Sequence, residues 1–280
     1  MIWKIVAPSA KTLIARFKDE RQNVRSDTAV VIPTYKDPIT ITKHLEALSK
    51  QSTRDFDVIL IYGEDDEFVA NHGGFGLIHI KSARNNGSAG AFYLGQRFCI
   101  DEKYEKIILA DDDCLPESPD LIACLKEALD KEYAAAPKIR LSPSDRKEMG
   151  SIHHYCGLRK ETFLKCGFTY LPFFTGGEDF DLMMRLLKAG IKIKHIDKVA
   201  SHPRWIPLFL WKMSKIRSYS KGNLLQILIS DDLVRSTISM SIHIQTAAAS
   251  LFLGKIGIAR AYFETAWEAS GMDFSPPSKS

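Results

Sequence analysis

The sequence predicts an α/β fold in which helices flank a mostly parallel central sheet. Three short apolar runs are typical of buried parallel strands, and polar residues follow each of them: AVVIP at residues 29–33, VILIY at 58–62 and KIILA at 106–110. Apolar residues at helical spacing lie between these runs, in ITKHLEALSKQ and GAFYLGQRFCIDE. This alternation of strand and helix predicts a doubly wound sheet with right-handed connections. Ligands of such sheets bind beyond the carboxyl ends of the strands.

Composition and charge narrow the possible classes of protein. The chain has 280 residues, of which 45% are hydrophobic and 26% charged, as in ordinary soluble globular proteins. Its net charge of +4 is too small to favour a nucleic-acid partner. Five cysteines without a CxxC pair argue against a disulfide framework and against a structural zinc site. The first twenty residues lack a long apolar stretch followed by a cleavage site, so we expect a cytoplasmic protein.

Three consecutive aspartates, Asp111, Asp112 and Asp113, directly follow the third apolar run. Adjacent carboxylates repel one another and are costly to hold together without a cation. Mg²⁺ and Mn²⁺ favour oxygen ligands and often bridge a carboxylate to substrate phosphates. The alternative is an acidic turn that caps a helix beginning near Pro119. The position after a buried strand favours the metal site.

Two later segments combine glycines with polar residues. RNNGSAGA at residues 84–91 allows close approach of a ligand to the backbone and offers free amides to a phosphate, although it lacks the GxGxxG spacing. Gly176 and Gly177 precede Glu178 and Asp179, which begin the predicted helix in DFDLMMRLLKAG. Helix capping explains one of these acids but not the two glycines before them. Residues 137–147 carry prolines, serines and charges and predict an exposed loop.

The order of these segments resembles glycosyltransferase family 2, the inverting enzymes of the GT-A fold. The resemblance covers about residues 29–203 and rests on VVIPTYKDP, NNGSAGAFYLG, IILADDDC and GLRKETFLKCGFTYLPFFTGGEDFDLMMRLLKAGIKI. The aspartate triplet, NNGSAGAF, SHP at 201–203 and YSKGN at 219–223 are most similar to the galactofuranosyltransferase and rhamnosyltransferase-like branch. The usual Asp-Asp-Gly-Ser after the second strand is replaced by YGEDD at 62–66, so the acid that contacts the nucleotide base is not identified by this likeness.

The resemblance implies a Rossmann-like GT-A catalytic domain at residues 1–203. Its nucleotide-sugar half is expected at about 29–115 and its acceptor half at about 150–203, followed by a helical C-terminal region at 204–280. The implied activity is metal-dependent, inverting transfer of a sugar from a nucleotide-sugar donor, with a UDP-sugar favoured. The implied acceptor is a saccharide, a polyprenyl-linked sugar or a glycolipid.

The resemblance also implies roles for individual residues. Asp111, Asp113 and His202 are expected to bind Mn²⁺ or Mg²⁺ on the donor diphosphate. Asp179 is expected to be the general base, with Glu178, Gly176 and Gly177 at the acceptor. The expected donor-binding residues are Pro33, Thr34, Tyr35, Glu64, Asp65, Arg84, Asn86, Gly87, Gly90, Asp111 and Asp112.

Other functions stay open at this point. A haloacid-dehalogenase-type phosphatase also places Asp-x-Asp after a parallel strand, but the small pair that usually follows is here Cys114-Leu115-Pro116. A non-catalytic family member that binds sugar nucleotides is a second alternative. A nucleotidyltransferase is disfavoured because PTYKDP stands where its basic glycine-rich loop would be.

The region after residue 203 suggests contact with a membrane surface. Tryptophans favour the headgroup level of a bilayer, and basic residues beside them attract anionic lipid. This region contains Trp205, Trp211, Lys212, Lys215, Arg217 and Lys221. We expect a helix lying peripherally on the inner face of the cell membrane. The alternative is that these aromatic residues pack under the sheet or form a homo-oligomer interface.

Overall fold

A computed structural model describes residues 14–20, 26–63, 74–83, 85–141, 146–149, 152–169 and 173–202, and towards the C-terminus 241, 244–248, 250–252 and 256–262. The chain divides into two compact units. The first, called here the sheet unit, comprises Ala10–Tyr170 and Asp179–Trp205. The second comprises Met1–Ser9, Leu171–Glu178 and Ile206–Ser280.

Ten strands among the described residues form one mixed sheet in the sheet unit. They are β1 (Ile14–Asp19), β2 (Thr28–Thr34), β3 (Asp57–Tyr62), β4 (Gly76–Ser82), β5 (Lys106–Ala110), β6 (Leu115–Pro116), β7 (Ala134–Leu141), β8 (Arg146–Met149), β9 (His154–Arg159) and β10 (Lys194–His202). Their order is β1-β4-β3-β2-β5-β9-β7-β10-β6, with β8 paired to β7. The described helices in this part of the chain are α1 (Pro38–Leu48), α2 (Gly87–Asp101), α3 (Leu121–Lys131), α4 (Lys160–Cys166) and α5 (Glu178–Lys188). The predicted α/β fold is confirmed.

The three apolar runs form the predicted strands β2, β3 and β5 at the centre of the sheet. β2 to β5 are parallel to one another, and antiparallel strands extend the sheet on both sides. The chain proceeds from β2 outward through β3 to β4 and then returns to place β5 on the other side of β2. The carboxyl ends of β2 and β5 are therefore neighbours at the switch point of the sheet, where open α/β sheets bind ligands.

The prediction of an exposed loop at 137–147 is wrong at both of its ends. Residues 137–141 belong to β7, which pairs with β10 in parallel, and residues 146–147 belong to β8. Pro137 lies opposite an irregularity, because the β10 register jumps from His195↔Ala136 to Val199↔Lys138. Proline has no backbone N–H to donate, so a break in the ladder is where a strand tolerates it.

Helix α2 packs closely against the centre of the sheet at Gly95. A Cβ atom on this residue would lie 2.4 Å from Val31 Cγ1 and 2.9 Å from Ile61 Cδ1. We expect Gly95→Ala to lower the free energy of unfolding by about 1–2 kcal/mol, because this overlap outweighs the roughly 1 kcal/mol that alanine adds to helix propensity. Urea denaturation measures the change. Gly190→Ala, where φ is +74° and nothing lies within 4 Å, isolates backbone strain from overlap. An unchanged midpoint for Gly95→Ala would contradict the close packing.

The second unit is helical where it is described after residue 240. Ala247, Ile258, Ala261 and Tyr262 form a small buried cluster within it. Among the residues that the structure describes, no helix is both long and apolar enough to cross a membrane. The predicted membrane-surface segment at 205–221 lies outside these residues, and the predicted domain boundary near residue 203 stays a prediction.

Candidate active site

The aspartate triplet lies at the switch point, beside the end of β2. Thr34 ends β2 with a buried hydroxyl that lies next to the Asp112 carboxyl. Asp37 begins α1 as its cap, because its carboxylate accepts a hydrogen bond of 3.0 Å from the Thr40 amide. The polar residues that follow β2 and β5 thus share one edge of the sheet, as the sequence predicts.

Two histidines lie beside the triplet, and together with Asp111 they form a candidate metal-binding group. One ligand atom each from Asp111, His154 and His202 lies within 4.8 Å of the other two. His154 Nε2 is 3.7 Å from Asp111 Oδ2, and His202 Nε2 is 3.4 Å from Asp113 Oδ1. The two imidazole rings are 4.4 Å apart at their centroids. A carboxylate oxygen of Asp111 and one ring nitrogen from each histidine are therefore close enough together to surround one ion.

Strand pairing brings these side chains together. β9 runs antiparallel to β5 with Ala110 opposite His154, so Asp111, the next residue, lies beside that histidine. The Asp111 amide also donates a 2.7 Å hydrogen bond to the His153 carbonyl. β6 begins one residue after the triplet and pairs with the end of β10, Leu115 opposite Ser201. His202 is therefore carried next to Asp113.

Tyr155 forms a bulge directly after His154. The register changes between Leu109↔Cys156 and Ala110↔His154, so β9 contributes one residue more than β5 at this point. Tyr155 is that extra residue, and its backbone φ of 60° lies in the left-handed region, which residues other than glycine rarely adopt. Bulges locally increase twist and change the direction in which a neighbouring side chain points. The bulge therefore bears directly on the orientation of His154.

Burial and neighbouring charges shift the pKa values in this cluster. Burial raises the pKa of Asp112 to about 6, with the Asp113 and Asp37 carboxylates adding to the effect and the Thr34 hydroxyl opposing it. Burial also raises the pKa of Asp113, but the hydrogen bond and charge of His202 outweigh it, so the pKa lies below its ordinary value. Burial lowers the pKa of His154 to about 4, which leaves its imidazole neutral at neutral pH.

The predicted donor-binding residues occupy the same edge of the sheet where they are described. Tyr35 follows Pro33 and Thr34 with 52% of its surface exposed, and the Lys36 ammonium lies 5.3 Å from its ring centroid. β4 is parallel to β2, so the loop that leads from its end into α2 lies at this edge too. This loop turns at Gly87, whose φ is 67°.

Local hydrogen bonds order that loop. The Gly87 amide donates to Asn85 Oδ1 at 2.9 Å, and Asn86 Nδ2 donates to Ser82 Oγ at 3.1 Å. Gly90 is buried in the first turn of α2. Glu64, Asp65 and Arg84, also predicted to bind the donor, lie outside the described residues.

The predicted acceptor residues fall in two units. Gly176 and Gly177 adopt φ values of 88° and 93°, which suit glycine, and the buried Glu178 begins α5. These three residues belong to the second unit. Asp179 belongs to the sheet unit, where its charge opposes the lowering of the His154 pKa. Of the two acids predicted at the acceptor, Asp179 is therefore the one that belongs to the sheet unit, and it lies near His154 of the candidate metal-binding group.

Sequence reasoning did not identify His154. The signal that could have found it is the doublet His153-His154 directly before the buried stretch at residues 155–158. The expected metal ligands were Asp111, Asp113 and His202. The structure places His202 within 4.8 Å of Asp111 and 3.4 Å from Asp113, and it adds the imidazole of His154 beside Asp111.

Comparisons with known proteins agree with this architecture. No curated protein matches the sequence significantly. Among solved structures, the mannosyltransferase PcManGT from Pyrobaculum calidifontis, in complex with GDP-Man and Mn²⁺, is 14% identical with a TM-score of 0.56 over 98% of this chain and 80% of its own. S. aureus TarS 1–349 in complex with UDP is 13% identical with a TM-score of 0.52 over 76% of this chain and 68% of its own.

At these identities, the structural likeness shows the fold alone. The family model for glycosyl transferase family 2, in contrast, matches residues 29–185, which is more than half of the chain. The matched region contains β2 except its first residue, the aspartate triplet and most of α5. The chain therefore belongs to glycosyl transferase family 2.

Proposed function

We propose that this protein transfers a sugar from a nucleotide-sugar donor to an acceptor hydroxyl with inversion at the anomeric carbon, and that it requires a divalent cation. The observation that carries the proposal is the convergence of Asp111, Asp113, His154 and His202 at the switch point of the sheet. Family membership supports glycosyl transfer as the class of reaction. It also disfavours the phosphatase alternative.

The residues present fit a divalent cation. The ligand atoms of Asp111, His154 and His202 all lie within 4.8 Å of one another, which is no more than about twice a metal–oxygen bond of roughly 2.1–2.4 Å, so one ion can contact all three. Asp113, which lies against His202, is close enough to serve as a further ligand. Mg²⁺ prefers an all-oxygen shell, whereas a mixed set of carboxylates and imidazoles suits Mn²⁺ better. We therefore favour Mn²⁺.

The residues around this site have separate roles in the proposed reaction. A bound cation would supply Lewis-acid stabilisation to the diphosphate of the leaving nucleotide. Asp112, which lies beside Thr34, accepts a hydrogen bond from a hydroxyl of the donor ribose or sugar in this proposal. Asp179 accepts the proton of the acceptor hydroxyl while that oxygen forms its bond to the anomeric carbon and the bond to the diphosphate breaks. Attack and departure on opposite faces invert the configuration.

The donor is proposed to be a UDP-sugar, and the likeness of NNGSAGAF and SHP to the galactofuranosyltransferase and rhamnosyltransferase-like branch favours sugars of that group. PcManGT was solved with GDP-Man and TarS with UDP, so both nucleotides belong in any test. The acceptor is proposed to be a saccharide or a lipid-linked sugar. The lipid-linked form rests on the basic, tryptophan-containing segment at 205–221.

A panel of nucleotide sugars tests this function. We expect release of nucleoside diphosphate from at least one UDP-sugar with Mn²⁺, a slower reaction with Mg²⁺ and none with EDTA. Adding free saccharides or lipid-linked sugars in anionic vesicles should raise the rate with the true class of acceptor. Turnover of a phosphate monoester without turnover of any sugar nucleotide would instead favour the phosphatase. Tight donor binding without hydrolysis or transfer would favour a non-catalytic member.

A further inference from the structure

A hydrogen-bonded pair of side chains lies beneath the aspartate triplet and has no role in the chemistry above. His44 of α1 and Tyr155 of β9 are both fully buried. His44 Nδ1 is 2.9 Å from the backbone carbonyl oxygen of Asp112. The other ring nitrogen, Nε2, is hydrogen-bonded to the Tyr155 hydroxyl. The imidazole therefore bridges the triplet and β9.

The direction of these hydrogen bonds follows from their chemistry. A carbonyl oxygen can only accept, so His44 Nδ1 must carry the proton that it donates to Asp112. Burial lowers the pKa of His44 to about 4, so the ring is neutral and Nε2 is an acceptor. The Tyr155 hydroxyl therefore donates to His44, and His44 donates to the Asp112 carbonyl.

The chain of hydrogen bonds from Tyr155 through His44 to the Asp112 carbonyl is called here the relay. Both of its ends adjoin residues of the candidate metal-binding group. Asp112 lies between Asp111 and Asp113, and its backbone is shared with both. Tyr155 follows His154 and is the bulge residue that affects where the His154 ring points. The relay thus ties the segment after β5 to the start of β9, the two segments that supply three of the four proposed ligands.

We propose that His44 and Tyr155 are positioning residues that hold the aspartate triplet and His154 in the arrangement that binds the cation. This inference rests on the metal dependence of the proposed function. Adjacent carboxylates repel one another, and a left-handed tyrosine is an unfavourable backbone state, so each segment needs an outside constraint to keep its shape. The relay supplies one constraint to both.

Matched variants separate this role from general stabilisation of the core. Tyr155→Phe removes only the hydroxyl that donates to His44. His44→Leu removes both hydrogen bonds, whereas His44→Asn retains an amide donor near the position of Nδ1. The control is Tyr104→Phe, because Tyr104 is also fully buried and donates to the Asp57 carboxylate at 2.6 Å, but precedes β5 at its opposite end.

The first measurement is the affinity for Mn²⁺ alone. Electron paramagnetic resonance detects the free ion and so monitors binding. Outer partners of metal ligands typically change affinity by about 10–100-fold, so we expect a loss near 10-fold for Tyr155→Phe and a larger one for His44→Leu. His44→Asn should recover part of the loss relative to His44→Leu. Tyr104→Phe should bind Mn²⁺ as the wild type does, even if its melting temperature falls.

The second measurement is amide hydrogen exchange in the segment 109–116 without metal. Exchange there should be faster in Tyr155→Phe and His44→Leu than in Tyr104→Phe. Wild-type Mn²⁺ affinity and unchanged exchange in a folded Tyr155→Phe and His44→Leu would overturn the inference. If the wild type itself fails to bind Mn²⁺, the metal dependence of the proposed function falls, and the exchange rates still decide whether the relay holds the segment.

Discussion

Asp179→Asn is expected to keep the affinity for the donor and to lose about 10²–10⁴-fold of the transfer rate, the usual cost of removing a general base. Asparagine retains the size of the side chain and one oxygen but cannot accept the proton of the acceptor hydroxyl. Asp179 lies in the sheet unit near His154, whereas the triplet at the end of β5 is proposed to bind the donor. A change at Asp179 can therefore remove the general base without removing a contact to the donor.

Initial rates at saturating donor, together with donor binding by calorimetry, measure this separation. Asp197→Asn is the matched control, because Asp197 is an exposed carboxylate of β10 that pairs with Lys138 at 2.6 Å. That variant should retain both binding and transfer. Near-normal transfer by Asp179→Asn would move the role of base to another acid, and Glu178→Gln is the next variant to examine.

Alanine at Asp111 or Asp113 is expected to abolish metal-dependent binding of the donor while the protein still folds. A direct ligand should matter more than an outer partner, so we expect the affinity for Mn²⁺ to fall by at least about 100-fold. His154→Ala should behave in the same way, because its Nε2 lies 3.7 Å from Asp111 Oδ2. Asp113→Ala also removes the partner of His202, so thermal unfolding is measured for each variant beside binding.

Calorimetric titration with donor, in Mn²⁺ and in EDTA, tests this assignment. Asp101→Ala is a suitable control, since Asp101 is an exposed carboxylate at the end of α2. Unchanged donor affinity in a folded Asp111→Ala, Asp113→Ala double variant would contradict the metal site. If His154→Ala binds Mn²⁺ normally while His202→Ala does not, the second imidazole is a neighbour and not a ligand.

The features that the sequence predicts correctly are those with a local signal. The runs at β2, β3 and β5 are continuous and apolar because both faces of a central parallel strand are buried, and this pattern is visible without knowledge of partners. The aspartate triplet is visible for a related reason: polar residues begin where such a strand leaves the core. The order of the motifs along the chain was enough to indicate the family, which the match over residues 29–185 establishes.

Other features depend on pairings between distant residues, for which local patterns carry little information. Residues 137–141 of β7 include a proline and fall in the predicted loop, yet β7 is a strand because β9 and β10 supply its partners. His154 joins the candidate metal-binding group because β9 aligns with β5 through a bulge, and His44 contacts the Asp112 carbonyl although the two residues are 68 positions apart in the sequence. Composition and periodicity determined the core of the sheet and the position of the acids. Only the register of strands far apart in sequence decided that His154 also faces those acids.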